Sequence, residues 1–241
     1  MKRERPWHLG FLYPGHSAED DYPRIEAMID PPVQLSVVHT SIGEDAHRED
    51  ALLDVGSAWR LGEGAAELRR RGVDSAMWAC TSGSFVFGVD GARQQVKSVE
   101  ELLGVPVSST SLAFVDALHA MGMQRVAVAA TYPVDIAGLF ETFLANCGIR
   151  VRRVSGLGII TAVESASLGR EQVLALARAN NHRDAEAVLL PDTALHTVAW
   201  LEALEEACGK PVLTANQVTV WQALRLADHP AKQRGLGRLF V

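Results

Sequence analysis

Short apolar runs alternate along the chain with longer stretches in which apolar positions recur at helical spacing. The runs at 8–13, 33–39, 75–79, 106–108, 125–130, 150–154, 187–190 and 211–214 read as strands. The stretches at 52–71, 100–103, 111–121, 134–146, 170–180, 198–207 and 218–227 read as helices. Strands spaced by helices give βαβ units and parallel sheets, so the expected class is α/β. Most of the strand runs are nearly continuous in apolar residues, as strands covered on both faces should be. Gly72, Gly104, Gly122, Gly148 and Gly209 each follow a helical stretch. Glycine there accepts the left-handed conformation that ends a helix.

The pattern also repeats. Glu100-Glu101-Leu102-Leu103-Gly104-Val105-Pro106-Val107 resembles Glu205-Glu206-Ala207-Cys208-Gly209-Lys210-Pro211-Val212. Upstream, the segment from Asp74 to Thr81 lines up with the segment from Glu186 to Thr193. Leu12-Tyr13-Pro14 corresponds to Thr131-Tyr132-Pro133. Three matches in order predict two copies of one Rossmann-like unit related by a pseudo-twofold axis. We expect a first half at 1–112 plus 220–241 and a second at 113–219. Duplicated α/β units hold ligand in the crevice beyond the carboxyl ends of their strands. The residues just past the strands are Pro14, Cys80-Thr81-Ser82, Tyr132 and Asp192-Thr193.

Composition narrows the function. The chain has 241 residues, of which 48% are apolar and 22% charged, and this balance excludes a disordered or fibrous protein. The net charge of −6 argues against nucleic acid as a partner. The start of the chain lacks an export signal, and no stretch approaches the roughly 18 apolar residues of a membrane span, so a cytoplasmic protein is expected. Three cysteines, Cys80, Cys147 and Cys208, read as reduced thiols. No CxxC, HExxH or clustered histidines occur, so no metal is expected. Gly156-Leu157-Gly158 lacks the third glycine of a dinucleotide loop, and no phosphate loop is present.

Cys80 is the sharpest candidate for chemistry. It ends a strand, and the Thr81-Ser82-Gly83-Ser84 that follows reads as a helix start. Free N–H groups there favour a thiolate and can hold a carboxylate. The bland alternative is a buried structural cysteine. Cys147 and Cys208 precede glycines at helix ends and read as packing residues. Asp192 takes the place of Cys80 in the second half. It can act as an acid or base across the crevice, or as the N-cap of a helix starting at Thr193. The Tyr132 hydroxyl can donate to a carboxylate or enolate. His16, His39, His47 and His196 lie near strand ends or loops without a spacing that singles them out, and read as solvated or capping.

The chain resembles the aspartate/glutamate racemase superfamily, in its branch of maleate cis–trans isomerases and arylmalonate decarboxylases. The resemblance rests on Leu9-Gly10-Phe11-Leu12-Tyr13-Pro14, Cys80-Thr81-Ser82-Gly83-Ser84-Phe85, Gly104-Val105-Pro106-Val107, the run from Arg125 to Tyr132, the segment from Gly158 to Glu164, and Gly235-Leu236-Gly237-Arg238-Leu239-Phe240. It implies two facing α/β halves, no cofactor and an active site between them. Racemases and maleate isomerases of this kind use a cysteine from each half; the decarboxylases keep only that of the second half, as proton donor. It further implies a carboxylate pocket that stabilises an enediolate, here at Thr81, Ser82, Tyr132 and Thr193, with Pro14 alongside. This chain has Cys80 but carries Asp192 where the second cysteine belongs. The expectation is a cysteine isomerase of a small carboxylate or dicarboxylate, with Cys80 as nucleophile or base and Asp192 as the opposing acid or base. The alternatives are a lyase acting on a malonate-type acid and a non-catalytic carboxylate binder. Oligomeric state is open, and a homo-oligomer is compatible with these features.

Overall fold

Two four-stranded parallel sheets carry the chain. The computed structural model describes residues 5–230 and 232–241; the charged start at 1–4 lies outside the described residues. The first sheet contains β1 (Trp7–Pro14), β2 (Val33–Thr40), β3 (Ser75–Trp78) and β4 (Val107–Ser109), in the order β2-β1-β3-β4. The second contains β5 (Arg125–Ala130), β6 (Arg150–Gly156), β7 (Ala187–Leu190) and β8 (Val212–Thr214), in the order β6-β5-β7-β8. Substituting β5 for β1, β6 for β2, β7 for β3 and β8 for β4 turns one order into the other, so the sheets have the topology of a duplicated unit. All strand pairs are parallel.

Eleven helices connect these strands among the described residues. They are α1 (Asp21–Glu26), α2 (Glu49–Val55), α3 (Ala58–Arg71), α4 (Ser82–Phe85), α5 (Gly88–Leu103), α6 (Thr110–Ala120), α7 (Val134–Asn146), α8 (Ala162–Ala166), α9 (Arg170–Asn180), α10 (Leu201–Cys208) and α11 (Ala215–Leu226). Single 3-10 turns cover Val198–Trp200 and Arg238–Phe240. The inner strands β3 and β7 are buried at every position, as their unbroken apolar runs require, and the short edge strand β8 is covered as well. The outer strand β6 departs from that expectation. Its Arg150, Arg152 and Arg153 are exposed, because an edge strand has one uncovered side.

The helical stretch at 52–71 is two helices, broken at Gly56-Ser57. Gly56 passes so close to α4 that an added Cβ would lie 2.1 Å from the Gly83 carbonyl oxygen. Gln95 holds this crossing together, its Nε2 donating to the Gly56 carbonyl at 2.7 Å and to the Gly83 carbonyl at 2.9 Å. The stretch at 100–103 is the end of the sixteen-residue α5. No α-helix starts at Thr193; the 3-10 turn at Val198–Trp200 leads into α10.

The largest core lies between the two sheets. Phe11, Tyr22, Phe85, Phe114, Phe140, Leu213, Val218 and Trp221 belong to it, drawn from both parts of the chain. Helix α11 packs on α6 and on β1, β3 and β4 of the first sheet. Smaller cores back each sheet, around Leu12, Leu61 and Trp78 on one and Val173, Leu190 and Leu204 on the other. Phe140 on α7 is fully buried and makes tilted or edge contacts with Phe85 and Phe114, the first of them on α4. Phe140→Ala should therefore destabilise the protein by about 3–5 kcal/mol, the usual cost of truncating a buried phenylalanine. Chemical denaturation checks this, and a loss below about 1 kcal/mol would mean the two halves do not share this core.

Candidate active site

The two sheets end on a common cavity of about 400 Å³. Equivalent strands supply its two central groups. Cys80 stands two residues past the end of β3 and Asp192 two residues past the end of β7, and both line the cavity. Pro14 at the end of β1, Ser82 in the first turn of α4 and Thr193 are on the same wall. Five of the seven residues singled out by sequence therefore meet here. Thr81 and Tyr132 are not lining residues. They are buried behind the wall, where the Tyr132 hydroxyl donates to the Pro191 carbonyl at 2.8 Å. Thr81 Oγ1 completes no hydrogen bond of ordinary geometry, although it stands near enough to the Tyr132 oxygen to favour its ionised form. Burial dominates at Tyr132 and keeps the phenol protonated, with the negative charge of Asp192 and of an ionised Cys80 acting the same way.

Cys80 is 5% exposed. Its Sγ accepts a hydrogen bond from the Gly83 N–H at 3.3 Å, and Ser82 Oγ lies 3.9 Å away. Burial pushes the thiol up to about 11. The Gly83 N–H and Ser82 oppose that shift, and the charge of Asp192 adds to it. The thiolate expected from a helix start is thus not the resting state. Helix α4 has only four residues, and desolvation outweighs what its N–H groups contribute. A Cβ at Gly83 would stand 3.1 Å from both Cys80 Sγ and Trp78 Cζ2, so any larger residue there would press on the thiol.

Asp192 is 4% exposed and held by its own half. Thr131 Oγ1 donates to Oδ2 in a short hydrogen bond, and the Ala194 N–H donates to Oδ1 at 2.9 Å. The carboxylate therefore caps a turn and faces the cavity at once.

Several groups that tie the site together carried no sequence signal. The Tyr13 hydroxyl donates to the Thr193 carbonyl at 2.9 Å and accepts the Ala18 N–H at 3.0 Å, which pins β1 to the wall beside Asp192. The Leu12-Tyr13-Pro14 repeat pointed at this residue, but not at its partner. Asp45 accepts the Ala162 N–H at 2.8 Å and the Val163 N–H at 3.3 Å, capping α8 from the other half. His47 joins the same crossing through Nδ1 and the Ile159 carbonyl, 3.0 Å apart. The segment from Ser41 to His47 thereby walls one side of the cavity. His16 and His39, which the sequence left as solvated or capping, also line it.

Comparison with known proteins agrees with this geometry. The arylmalonate decarboxylase family profile matches residues 54–240. The arylmalonate decarboxylase of Bordetella bronchiseptica is 31% identical over 182 residues, covering 73% of this chain and 75% of that protein. The maleate isomerase of Alcaligenes faecalis is 26% identical over 167 residues, covering 67% of this chain and 66% of that one. Among solved structures, a cysteine-to-serine mutant of Nocardia farcinica maleate cis–trans isomerase, carrying a covalently bound succinylcysteine intermediate, superposes with a TM-score of 0.88. That match is 22% identical and covers 98% of both chains, and it concerns the fold.

The charge on Asp192 is one reason the Cys80 thiol resists ionisation. In the ligand-free protein, Cys80 alkylation should be slow at neutral pH and rise about tenfold per pH unit until it levels near 11. Asp192→Asn removes the repelling charge and should shift that profile to lower pH. Mass-spectrometric rates for Cys80 across pH check both points. A profile that levels near neutral pH, or moves up in the variant, would overturn the assignment.

Proposed function

The chain belongs to the arylmalonate decarboxylase family, a family of enzymes, and on that footing we propose that it is a lyase removing CO2 from a small malonate-type acid, with Cys80 as proton donor. The observation that carries this reading is the buried, protonated Cys80 thiol on the cavity wall. Acting as a nucleophile at pH 7, a thiol near 11 is ionised in roughly one molecule in ten thousand, a cost of about 5 kcal/mol. Acting as an acid it starts in the required state. Desolvation therefore favours proton donation over addition to a double bond. The walls agree: Ile42, Leu52, Val55 and Val163 give the cavity an apolar side, and no Lys or Arg lines it among the described residues. A malonate with an apolar substituent fits that balance better than a ligand polar throughout.

In the reaction, the bond from the α-carbon to one carboxylate breaks and CO2 leaves. The electron pair enters the retained carboxylate, giving an enediolate. The Cys80 S–H proton passes to the α-carbon, and water returns a proton to the sulfur. Ser82 Oγ is the donor placed at the wall for the enediolate oxygens, with Thr81 and Tyr132 supporting it from behind. Asp192 opposes loss of the proton from Cys80 at rest.

Isomerisation of a small dicarboxylate is the second reading, favoured by the likeness to maleate isomerases. In it, ionised Cys80 adds to the double bond and Asp192 protonates the neighbouring carbon. Rotation and reversal of both steps then release the isomer. A cytoplasmic location is part of either reading and fits the free state of all three cysteines. No helix among the described residues is long and apolar enough to cross a membrane.

Proton NMR in deuterated buffer, with phenylmalonate and maleate as probes, separates the readings. The lyase yields phenylacetate carrying one deuterium at the α-carbon and leaves maleate unchanged. Cys80→Ala should then lower turnover by about 10²–10⁴, the usual contribution of a positioned acid. Cys208→Ala, buried at the end of α10, should retain it. Conversion of maleate to fumarate without CO2 release would establish the isomerase instead. Binding of both acids without turnover would establish a carboxylate-binding protein.

A further inference from the structure

His16, Glu19 and His39 stand together at the edge of the cavity, and their placement does not follow from the chemistry proposed for Cys80. His16 Nδ1 lies 3.1 Å from Glu19 Oε1, and His39 Nε2 lies 3.4 Å from the same oxygen. The two imidazoles are 3.9 Å apart between centroids, tilted by 35°. The three potential ligand atoms all lie within 4.8 Å of one another.

Two different parts of the backbone bring them together. His39 is the penultimate residue of β2, so a strand of the first sheet fixes it. His16 and Glu19 come from the loop after β1. Gly15, with φ +62°, turns that loop back over β2, and its N–H reaches the Thr40 carbonyl at 3.4 Å. The Ser17 N–H donates to Glu19 Oε2 at 2.7 Å, which orients the carboxylate and leaves Oε1 toward the histidines. The Tyr13 ring meets His39 edge-on, 6.3 Å away.

These separations are within the reach of a single metal ion. Bonds of about 2.0–2.1 Å to nitrogen and oxygen, in tetrahedral geometry, put neighbouring ligand atoms about 3.3 Å apart. The distances of 3.1 and 3.4 Å from Glu19 Oε1 to the two ring nitrogens are close to two of those edges, and the two ring nitrogens lie within 4.8 Å of each other. Two imidazoles and one carboxylate form a set that suits borderline divalent ions over magnesium or calcium, which prefer oxygen alone. The side chains of His16, His39 and Glu19 are 74%, 36% and 30% exposed, so an ion reaches them from solvent without opening the fold. The nearby group Asp20, Asp21 and His196 differs in the decisive respect. The Asp21 carboxylate is buried and already accepts the Thr197 and Val198 N–H groups and a hydrogen bond from Asn216 Nδ2, so it is committed to holding the fold.

We propose that His16, Glu19 and His39 form a binding site for one divalent first-row transition ion, of the Zn2+ type, at the edge of the cavity. Three protein ligands leave a fourth position to water. His16 and His39 are also lining residues, so the ion borders the space that holds Cys80. The inference rests on this geometry alone and stands whether the reaction is decarboxylation, isomerisation or neither.

Equilibrium dialysis against Zn2+ with metal analysis is the test. One ion per chain is expected in the wild-type protein and in Cys80→Ser. Affinity should fall at least tenfold in His16→Ala and in His39→Ala, with circular dichroism confirming that each remains folded. In the unaltered protein, Zn2+ should shift the imidazole NMR resonances of His16 and His39 and leave those of the buried His8 and His229 in place. Full retention of the ion in both histidine variants would overturn the site, as would its loss in Cys80→Ser or unmoved resonances at saturating Zn2+.

Discussion

A thiol and a carboxyl group are buried at one cavity with no lysine or arginine among the described lining residues to neutralise either. Everything else about the site adjusts to that constraint. Removal from water penalises the charged form of the thiol, and the nearby Asp192 raises that penalty further. The structure accommodates the carboxylate by supplying donors: Thr131 and the Ala194 N–H take its two oxygens. It accommodates the sulfur by keeping its proton, with one backbone N–H, that of Gly83, as the hydrogen-bond partner. The two equivalent positions thus differ in kind, a carboxyl group held by two donors in one half and a thiol that keeps its proton in the other.

The relative position of those two groups depends on contacts that cross between the sheets. Tyr13 reaches from β1 to the Thr193 carbonyl, and Asp21 from α1 to the backbone at Thr197 and Val198. Asn216 at the start of α11 joins the same network through Asp21 and the Thr193 and Leu195 carbonyls. Asp45 and His47 make the corresponding reach to 159–163. Each crossing satisfies backbone groups of a turn that has no helix or strand to satisfy them. The shared aromatic core holds the halves together, and these polar crossings set how they meet at the cavity.

Much of this was readable from sequence, for a definite reason. Apolar runs such as 125–130 and 187–190 are buried on both faces, so hydrophobicity alone marks them. The repeat made Cys80 and Asp192 equivalent, and the rule that ligands sit beyond strand ends did the rest. What escaped notice had no periodic signature. Helices α1 and α8 are single turns or little more, and the break at Gly56 is imposed by the Gly83 carbonyl of a distant segment. The raised thiol escaped for the same reason, because burial is a tertiary property and a helix start reads only as an N–H donor. His16 and His39 lie far apart in the chain, and only the return of the loop at Gly15 stacks them.

The carboxyl group of Asp192, where the repeat places the equivalent of Cys80, has a structural consequence. A cysteine past β7 would need no hydrogen-bond donors, whereas a buried carboxylate demands them. Thr131 lies just past the end of β5 and Ala194 in the turn that follows Asp192, so the second half spends its strand-end donors on holding its own anion. Past β3, Thr81 Oγ1 completes no internal hydrogen bond of ordinary geometry and Ser82 Oγ lies 3.9 Å from the sulfur, and both hydroxyls stand near the Tyr132 oxygen. The pseudo-twofold axis therefore relates two backbones of similar course but not two equivalent chemical surfaces. The half that carries the thiol is also the half in which Ser82 Oγ lines the cavity beside the sulfur, whereas the donors past β5 and β7 are already taken by Asp192.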